Sequence, residues 1–284
     1  MIKIDKTEII GWEAAIRGMR NPMNSWLKSD SLFFEGDTYH DICENCGPCP
    51  EYEEEFDLGF ADHNLMMTLA SGGPVHAKYR RMIVVYVDIT APLYWWKEFD
   101  TYKVGTVANS CSTMHKIQAK EFVREDFSLE HLAELNLNLM DMTIRNLNIY
   151  REKFLASKDK EDWWQMIQLL PSSYNQKRTV MLNYEVLAGI YPMRKNHKLD
   201  EWHVFCDWIK ELPYSELIIG DKETVTWQQV FEDFEKRYPE YFKHFVDYRP
   251  TDEPFTIQIW LDVTNAVTGR KTITYNYVTK RISL

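Results

Sequence analysis

The stretch PLYWWKEFDTYKVGTVANSCSTMH, residues 92–115, gathers the side chains best suited to chemistry. Lys97 and Lys103 offer cations beside the carboxylates of Glu98 and Asp100. Thr106, Asn109, Ser110, Ser112 and Thr113 then supply short hydrogen-bonding groups, closed by Met114 and His115. A core would have to satisfy all of these groups, whereas a small polar ligand would use them. Two plainer readings stand beside that one. The hydroxyl and amide groups suit turns and caps, and the charges suit ion pairs along a helix face, worth about 0.2–0.5 kcal/mol each. Cys111 has no Ser-His-Asp or Cys-His spacing around it, so no covalent chemistry is assigned.

A second cluster lies in HDICENCGPCPEYEEEFD, where Cys43, Cys46 and Cys49 stand three apart and His40 extends the series to H-x-x-C-x-x-C-x-x-C. These are four ligands of kinds that zinc accepts. Structural zinc sites more often use two separated ligand pairs, so a surface loop with reduced thiols is the other reading. An iron–sulfur cluster would need a nearer fourth thiolate than Cys111 or Cys206. Five cysteines in a chain without an export signal point to thiol or metal chemistry rather than disulfides.

Local elements must position these groups. MIKIDK alternates as a short strand, and WEAAIRGMR starts a helix. Residues 20–57 carry Pro, Gly, Cys and acidic residues without a sustained period, and such segments are often functional. Residues 58–71, with Leu65, Met66, Met67 and Leu69, read as a helix stopped by Gly72-Gly73-Pro74. MIVVYVDI is nearly continuous in its apolar residues and suits a buried strand. Pro92 then opens a helix carrying LYWWKEFDTYK. Asp126 and Ser128 are expected to cap a long helix reaching Ser157, with Leu132, Leu135, Leu139 and Met142 at helical spacing. Asp159 caps DWWQMIQLL, which Pro171 ends. Residues 176–191 and 199–210 give two more helices, and Leu199, Trp202, Phe205 and Trp208 make the second one's core face. WQQVFEDFEKRYPEYFKHF is helical; FTIQIWLDV and TITYNYV, joined by NAVTGRK, read as a closing β-hairpin.

The expected class is therefore α+β, with a main body over residues 1–213 and a C-terminal helix-and-hairpin appendage over residues 214–284. At 284 residues and 45% hydrophobic, the chain can bury a full core. No apolar run reaches bilayer length and no signal region opens the chain, so the sequence reads as cytoplasmic with no membrane partner. A net charge of −10 excludes a broad footprint on a nucleic-acid polymer, though a few local cations could hold one nucleotide.

A strand followed by APLYWWKEFDTYK and a hydroxyl-rich loop resembles the signature region of the flavin-dependent thymidylate synthases, the ThyX family. Lys97-Glu98 falls where that family has Arg-Gln, and Thr101-Tyr102-Lys103 where it has Arg-His-Arg. Thr106 takes the first Ser position, Asn109 the Asn, Ser112 the second Ser and His115 the Tyr. GGPVHAK is similar to the family's Gly-His-Glu-Ser-Pro-x-Glu-His turn. LLPSSYNQKRTVMLNYEVLAGIYPMRKNHKLDEW is similar to its Leu-Pro-, Asn- and Arg-containing helices. The frame spans residues 58–210 and leaves the tail uncovered.

The resemblance implies a small mixed or antiparallel sheet with long helices, and a homotetramer binding FAD and a small-molecule nucleotide, dUMP. If the chain is active, NADPH and methylenetetrahydrofolate would take part in methylating dUMP to dTMP. It places Lys97, Tyr102, Lys103 and His115 at the flavin, and Glu98, Thr106, Asn109, Ser112 and Arg194 at the nucleotide; no catalytic residue is assigned. Trp95 and Trp96 are then either core or a flavin platform. Loss of both triplet arginines removes fixed bidentate cations, for which lysines are point-charge substitutes. A catalytically inactive ThyX-like nucleotide-binding or assembly protein is accordingly the alternative.

Overall fold

The computed structural model describes residues 2–33, 56–220, 227–243, 245–250, 256–262, 270–276 and 281–283. In chain order the elements begin with β1 Lys3–Ile10, α1 Trp12–Arg20, β2 Leu32–Phe33, β3 Phe56–Asp57 and α2 Phe60–Ser71. Next come β4 Val84–Pro92, α3 Leu93–Phe99, β5 Val107–Ser110, α4 Glu134–Ser157, α5 Lys160–Leu169 and β6 Asn175–Asn183. The remainder are α6 Tyr184–Arg194, α7 Asp200–Glu211, α8 Glu216–Ile219, α9 Trp227–Arg237, α10 Pro239–Phe242, β7 Phe245–Pro250, β8 Thr256–Asp262, β9 Arg270–Asn276 and β10 Arg281–Ser283. They form two compact units, one of Met1–Asn24 with Thr68–Ile219, the other of Ser25–Met67 with Gly220–Leu284.

The first unit is built on an antiparallel sheet of order β1-β4-β6-β5. Alternation sorts its side chains by face. Val85, Val87, Ile89 and Ala91 of β4 and Val180 and Leu182 of β6 are buried, as are Trp95, Trp96 and Phe99 of α3 and Trp202, Phe205 and Ile209 of α7. Trp95 and Trp96 are thus core residues, edge-on to each other at 4.9 Å. On the other side of the sheet, Asp88 accepts from the Thr179 hydroxyl at 2.6 Å and pairs with Lys177 at 2.8 Å. The lysine contact holds the Asp88 carboxyl below its ordinary value and lifts the Lys177 amine. At the β1–α1 corner Gly11 has φ +95, and a Cβ there would collide with the Met82 carbonyl oxygen.

Two expectations are corrected here. Residues 175–183 are a strand, not the first half of a helix ending at Tyr191. Gln176, Val180 and Leu182 point inward with period two, and β6 bonds to β4 along its whole length, which overrides helix propensity. The long helix begins at Glu134, well after Asp126 and Ser128. Asp126 instead accepts from the Val123 N–H at 3.0 Å, and the Ser128 hydroxyl donates to Asn175 at 2.9 Å. The helix ends at Ser157 as expected.

The inward face of α4 is also not the one its leucine spacing suggests. Met140, Ile144 and Leu147 pack with Phe122, Phe127 and Met166 of α5. Leu135, Leu139 and Met142 are 80%, 62% and 61% exposed, a second apolar stripe on the opposite side of the helix.

In the second unit, Asp30 caps α2 by accepting from the N–H groups of Ala61 at 2.8 Å and Asp62 at 3.1 Å. Buried Asp62 accepts from both Ser29 and Ser31 hydroxyls at 2.7 Å. The expected hairpin is present as β8–β9, inside a four-stranded antiparallel sheet of order β10-β9-β8-β7. Phe234 of α9 packs on Ile257, Ile259, Ile273 and Tyr275. His40, Cys43, Cys46 and Cys49 lie outside the described residues. Among those described, no helix is long and apolar enough to cross a membrane.

Candidate functional site

Helix α3 leaves β4 at Pro92 and carries its aromatic face inward, which turns Glu98 sideways toward α6 and α7. There the structure joins three of the expected site residues. Arg194, the last residue of α6, donates from Nη1 to Glu98 Oε2 at 2.5 Å and from Nε to the Tyr102 hydroxyl at 2.7 Å. Glu98 Oε2 also accepts from the Trp202 indole at 3.1 Å. The Arg194 guanidinium lies 4.5 Å from the Trp202 ring centroid and 5.5 Å from that of Tyr102, a partly desolvated cation–π arrangement. His197 follows in the turn after α6. Its Nδ1 accepts from the Leu199 N–H at 3.2 Å, which leaves Nε2 as the donor toward Glu98 Oε2 at 3.3 Å. The carboxylate is therefore met by one guanidinium, one indole and one imidazole.

A parallel arrangement sits one register along. Arg178 of β6 donates to Asp100 at 2.7 Å and to the Gln176 side chain at 3.0 Å, with its guanidinium 4.1 Å from the Trp96 ring centroid. Gln176 passes the contact on to the Cys111 carbonyl at 2.7 Å, fixing the start of the polar loop. Glu98 of α3 and Asp100 just after it thus pair across elements, to α6 and β6, and not with Lys97 or Lys103.

The other expected residues are placed differently. Lys97 and Lys103 are exposed and make no ion pair among the described residues. Thr106 is half-buried, and its hydroxyl is buried without a hydrogen bond. Asn109 stands in β5 opposite Thr179. Ser112 accepts from the N–H groups of Met114 at 3.2 Å and His115 at 2.9 Å, a turn-forming role. His115 lines a cleft with Lys158, Lys160 and Trp163, and none of Glu98, Tyr102 or Arg194 lines that cleft.

Sequence reasoning missed Arg178, while Arg194 and His197, three apart in YPMRKNHKLDEW, read either as one helix face or as solvated charges in a helix-to-helix loop. Period-two alternation in NQKRTVMLN was the available signal for Arg178, since it sets Gln176, Arg178, Val180 and Leu182 on one face of a strand. Chemically the pair of clusters can orient a polar ligand at the mouth of the loop. Arg178 and Arg194 are each engaged through Nε and Nη1, and among the described residues neither makes a hydrogen bond through Nη2.

The fold is similar to that of thymidylate synthase X (ThyX) from Helicobacter pylori, solved with FAD and dUMP, at TM-score 0.51 and 15% identity, covering 77% of this chain and 98% of that one. A second structure of the flavin-dependent enzyme from Helicobacter pylori, complexed with FAD and dUMP, gives TM-score 0.52 at 16% identity over 76% of this chain and 98% of that one. A UMP/dUMP methylase from Streptomyces cacaoi, bound with 5-Br UMP, gives TM-score 0.46 at 10% identity over 76% and 93%. No family model and no curated protein matches the chain. At these identities the likeness is one of architecture: the chain has the fold of the flavin-dependent thymidylate synthases.

Proposed function

We propose that this chain is a nucleotide-binding protein of the flavin-dependent thymidylate synthase type, with a pyrimidine nucleotide and FAD as its ligands, working as a homotetramer. The observation that carries the reading is the extent of the likeness, nearly the whole length of an enzyme that was solved with FAD and dUMP. The site chemistry supports it in part. Lys97 and Lys103 are exposed cations without ion pairs among the described residues, which fits a phosphate-bearing ligand. If the protein turns over, it would methylate dUMP with NADPH and methylenetetrahydrofolate as co-reactants, the flavin supplying the redox chemistry. A zinc ion at His40, Cys43, Cys46 and Cys49 stays a separate proposal that metal analysis of purified protein decides.

One observation favours the second reading, a catalytically silent binder. Arg194 and Arg178 each have Nε and Nη1 taken, by Tyr102 and Glu98 and by Gln176 and Asp100, so neither guanidinium keeps both nitrogens of a fork free for a phosphate. The experiment is an absorption spectrum from the near-ultraviolet to the blue, before and after adding FAD and dUMP, followed by dUMP-dependent NADPH oxidation. Bound flavin with turnover supports the enzyme. Bound flavin or dUMP without turnover supports the silent binder, and binding of neither refutes both.

The exposed stripe of α4 supports the assembly. Leu135, Leu139 and Met142 recur along one side of the helix, and packing them against a second copy would remove apolar surface from water at about 25 cal/mol per Å².

A further inference from the structure

We infer that the cleft between the 112–118 loop and the α4–α5 turn is a second small-molecule site, built for a planar aromatic anion. It has a volume of about 390 Å³ and is lined by Met114, His115, Phe154, Lys158, Lys160 and Trp163. That volume lies in the range of small-molecule sites, roughly 300–1,000 Å³. The composition divides into two kinds of surface. Met114, Phe154 and Trp163 give an apolar and aromatic wall, while Lys158, Lys160 and His115 give cationic or protonatable groups.

Some basic groups near the cleft are paired, Lys120 with Asp126 and Arg124 with Asp141. Lys158 and Lys160 have no ion pair among the described residues, and each lies near an aromatic face instead, 5.7 Å from the Phe154 ring and 5.9 Å from the Trp164 ring. The carboxylates of Asp159, Glu161 and Asp162 make no ion pair with either lysine among the described residues. Asp159 caps α5 by accepting from the Glu161 N–H at 3.0 Å, and Asp162 accepts from the Ser157 hydroxyl at 3.2 Å. Two ammonium groups without ion pairs, beside aromatic rings, offer contacts to an anion that also presents a flat ring.

The walls are held in place before any ligand arrives. The Trp163 indole donates to the Met114 carbonyl at 3.0 Å, tying α5 to the loop. Ser112 fixes the backbone of Met114 and His115, and the Gln118 amide donates to the His115 carbonyl at 3.2 Å. Gln118 also lines the cleft, and its buried amide oxygen accepts no hydrogen bond among the described residues. Lys158 is held at φ +58, its N–H closing α4 onto the Phe154 carbonyl at 2.8 Å. The exposed Lys158 and Lys160 side chains are what remains to be ordered on binding. Of the residues that the family resemblance places at the flavin or the nucleotide, only His115 lines this cleft, and Lys158, Lys160 and Trp163, on which the inference rests, belong to neither set.

Calorimetric titration of the full chain with 2-naphthoate, and separately with inorganic phosphate, tests it. Expected are saturable binding of 2-naphthoate, weakening as salt rises, and at least tenfold weaker binding of phosphate. The double variant Lys158→Gln, Lys160→Gln should lose at least tenfold in naphthoate affinity while keeping the wild-type circular dichroism. Trp163→Leu, which keeps the cations and removes the ring, should lose a similar factor. Should that variant unfold, the double variant decides alone. Phosphate binding as tightly as naphthoate, naphthoate not binding, or affinity unchanged in the double variant would each overturn the inference.

Discussion

Replacing Glu98 by Gln keeps the shape of the α3–α6–α7 junction and removes its charge. Three contacts bear on the cost: Arg194 Nη1 at 2.5 Å, Trp202 Nε1 at 3.1 Å and His197 Nε2 at 3.3 Å. The Glu98 and Arg194 side chains are 35% and 16% exposed, which places the pair between two regimes. Fully exposed pairs contribute about 0–1 kcal/mol, and breaking a buried pair costs about 3–5 kcal/mol. Solvent screening on the Glu98 side moves the value toward the lower regime, so the lost attraction for Arg194 is taken as about 1.5 kcal/mol. Turning a charge-assisted indole bond into a neutral one adds about 0.5 kcal/mol. The variant should therefore be destabilised by about 2 kcal/mol, a fall in Tm of about 4–8 °C for a body of this size.

Urea unfolding followed by tryptophan fluorescence measures the loss. A double-mutant cycle with Arg194→Met isolates the pair, with an expected coupling of about 1–2 kcal/mol. A loss under about 0.5 kcal/mol with no coupling would refute the reasoning, since the pair would then be screened despite its aromatic surroundings. The same variant bears on function. If Glu98 restrains Arg194 from a phosphate, Glu98→Gln should tighten dUMP binding even as it loosens the fold.

Three further outcomes are expected. Leu139→Glu together with Met142→Glu should shift the mass found by light scattering toward the monomer without changing helix content; an unchanged oligomer would remove the α4 stripe from the interface. Burial pushes the Cys206 thiol up to about 11, so at pH 8 only about one molecule in a thousand carries the thiolate there. Iodoacetamide mapping by mass spectrometry should thus mark exposed Cys111 well before Cys206, and equal labelling would show that α7 opens readily. Asp88 is depressed by Lys177, so its contribution to stability is present above its ordinary value of 3.8 and is lost as pH falls through the lower folded value. Asp88→Asn should accordingly narrow the difference in urea midpoint between pH 7 and pH 3, and an unchanged difference would contradict the assignment.

Where local signals agreed with tertiary packing, the fold was legible in the sequence. The apolar run of β4, the Pro92 entry to α3, the Asp159 cap and the three-residue spacing of Trp202 and Phe205 each led to an element in the structure. Residues 175–183 were misread as helix because Lys177 and Arg178 blur the period-two alternation and the helical period of α6 follows without a break. Only pairing with β4, distant in the chain, decides between the two. In α4 the clean leucine spacing lies on the outer face, and the inner face is spelled by Met140, Ile144 and Leu147. At the candidate site, the family likeness brought Glu98, Tyr102 and Arg194 together. It could not show that the three satisfy one another, since that depends on the approach of α6 to α3.

The pairing of β4 with β6 also governs how the polypeptide must be made. β1 can join β4 as soon as residue 92 has left the ribosome, but the opposite edge of β4 stays bare until residues 175–183 are synthesised. Throughout that interval a strand of Val, Ile and Ala presents unpaired backbone groups to the crowded surroundings of a nascent chain. Slow maturation and early engagement by chaperones follow from this long-range closure, and cold-induced or slowed expression should yield more native protein than rapid synthesis does.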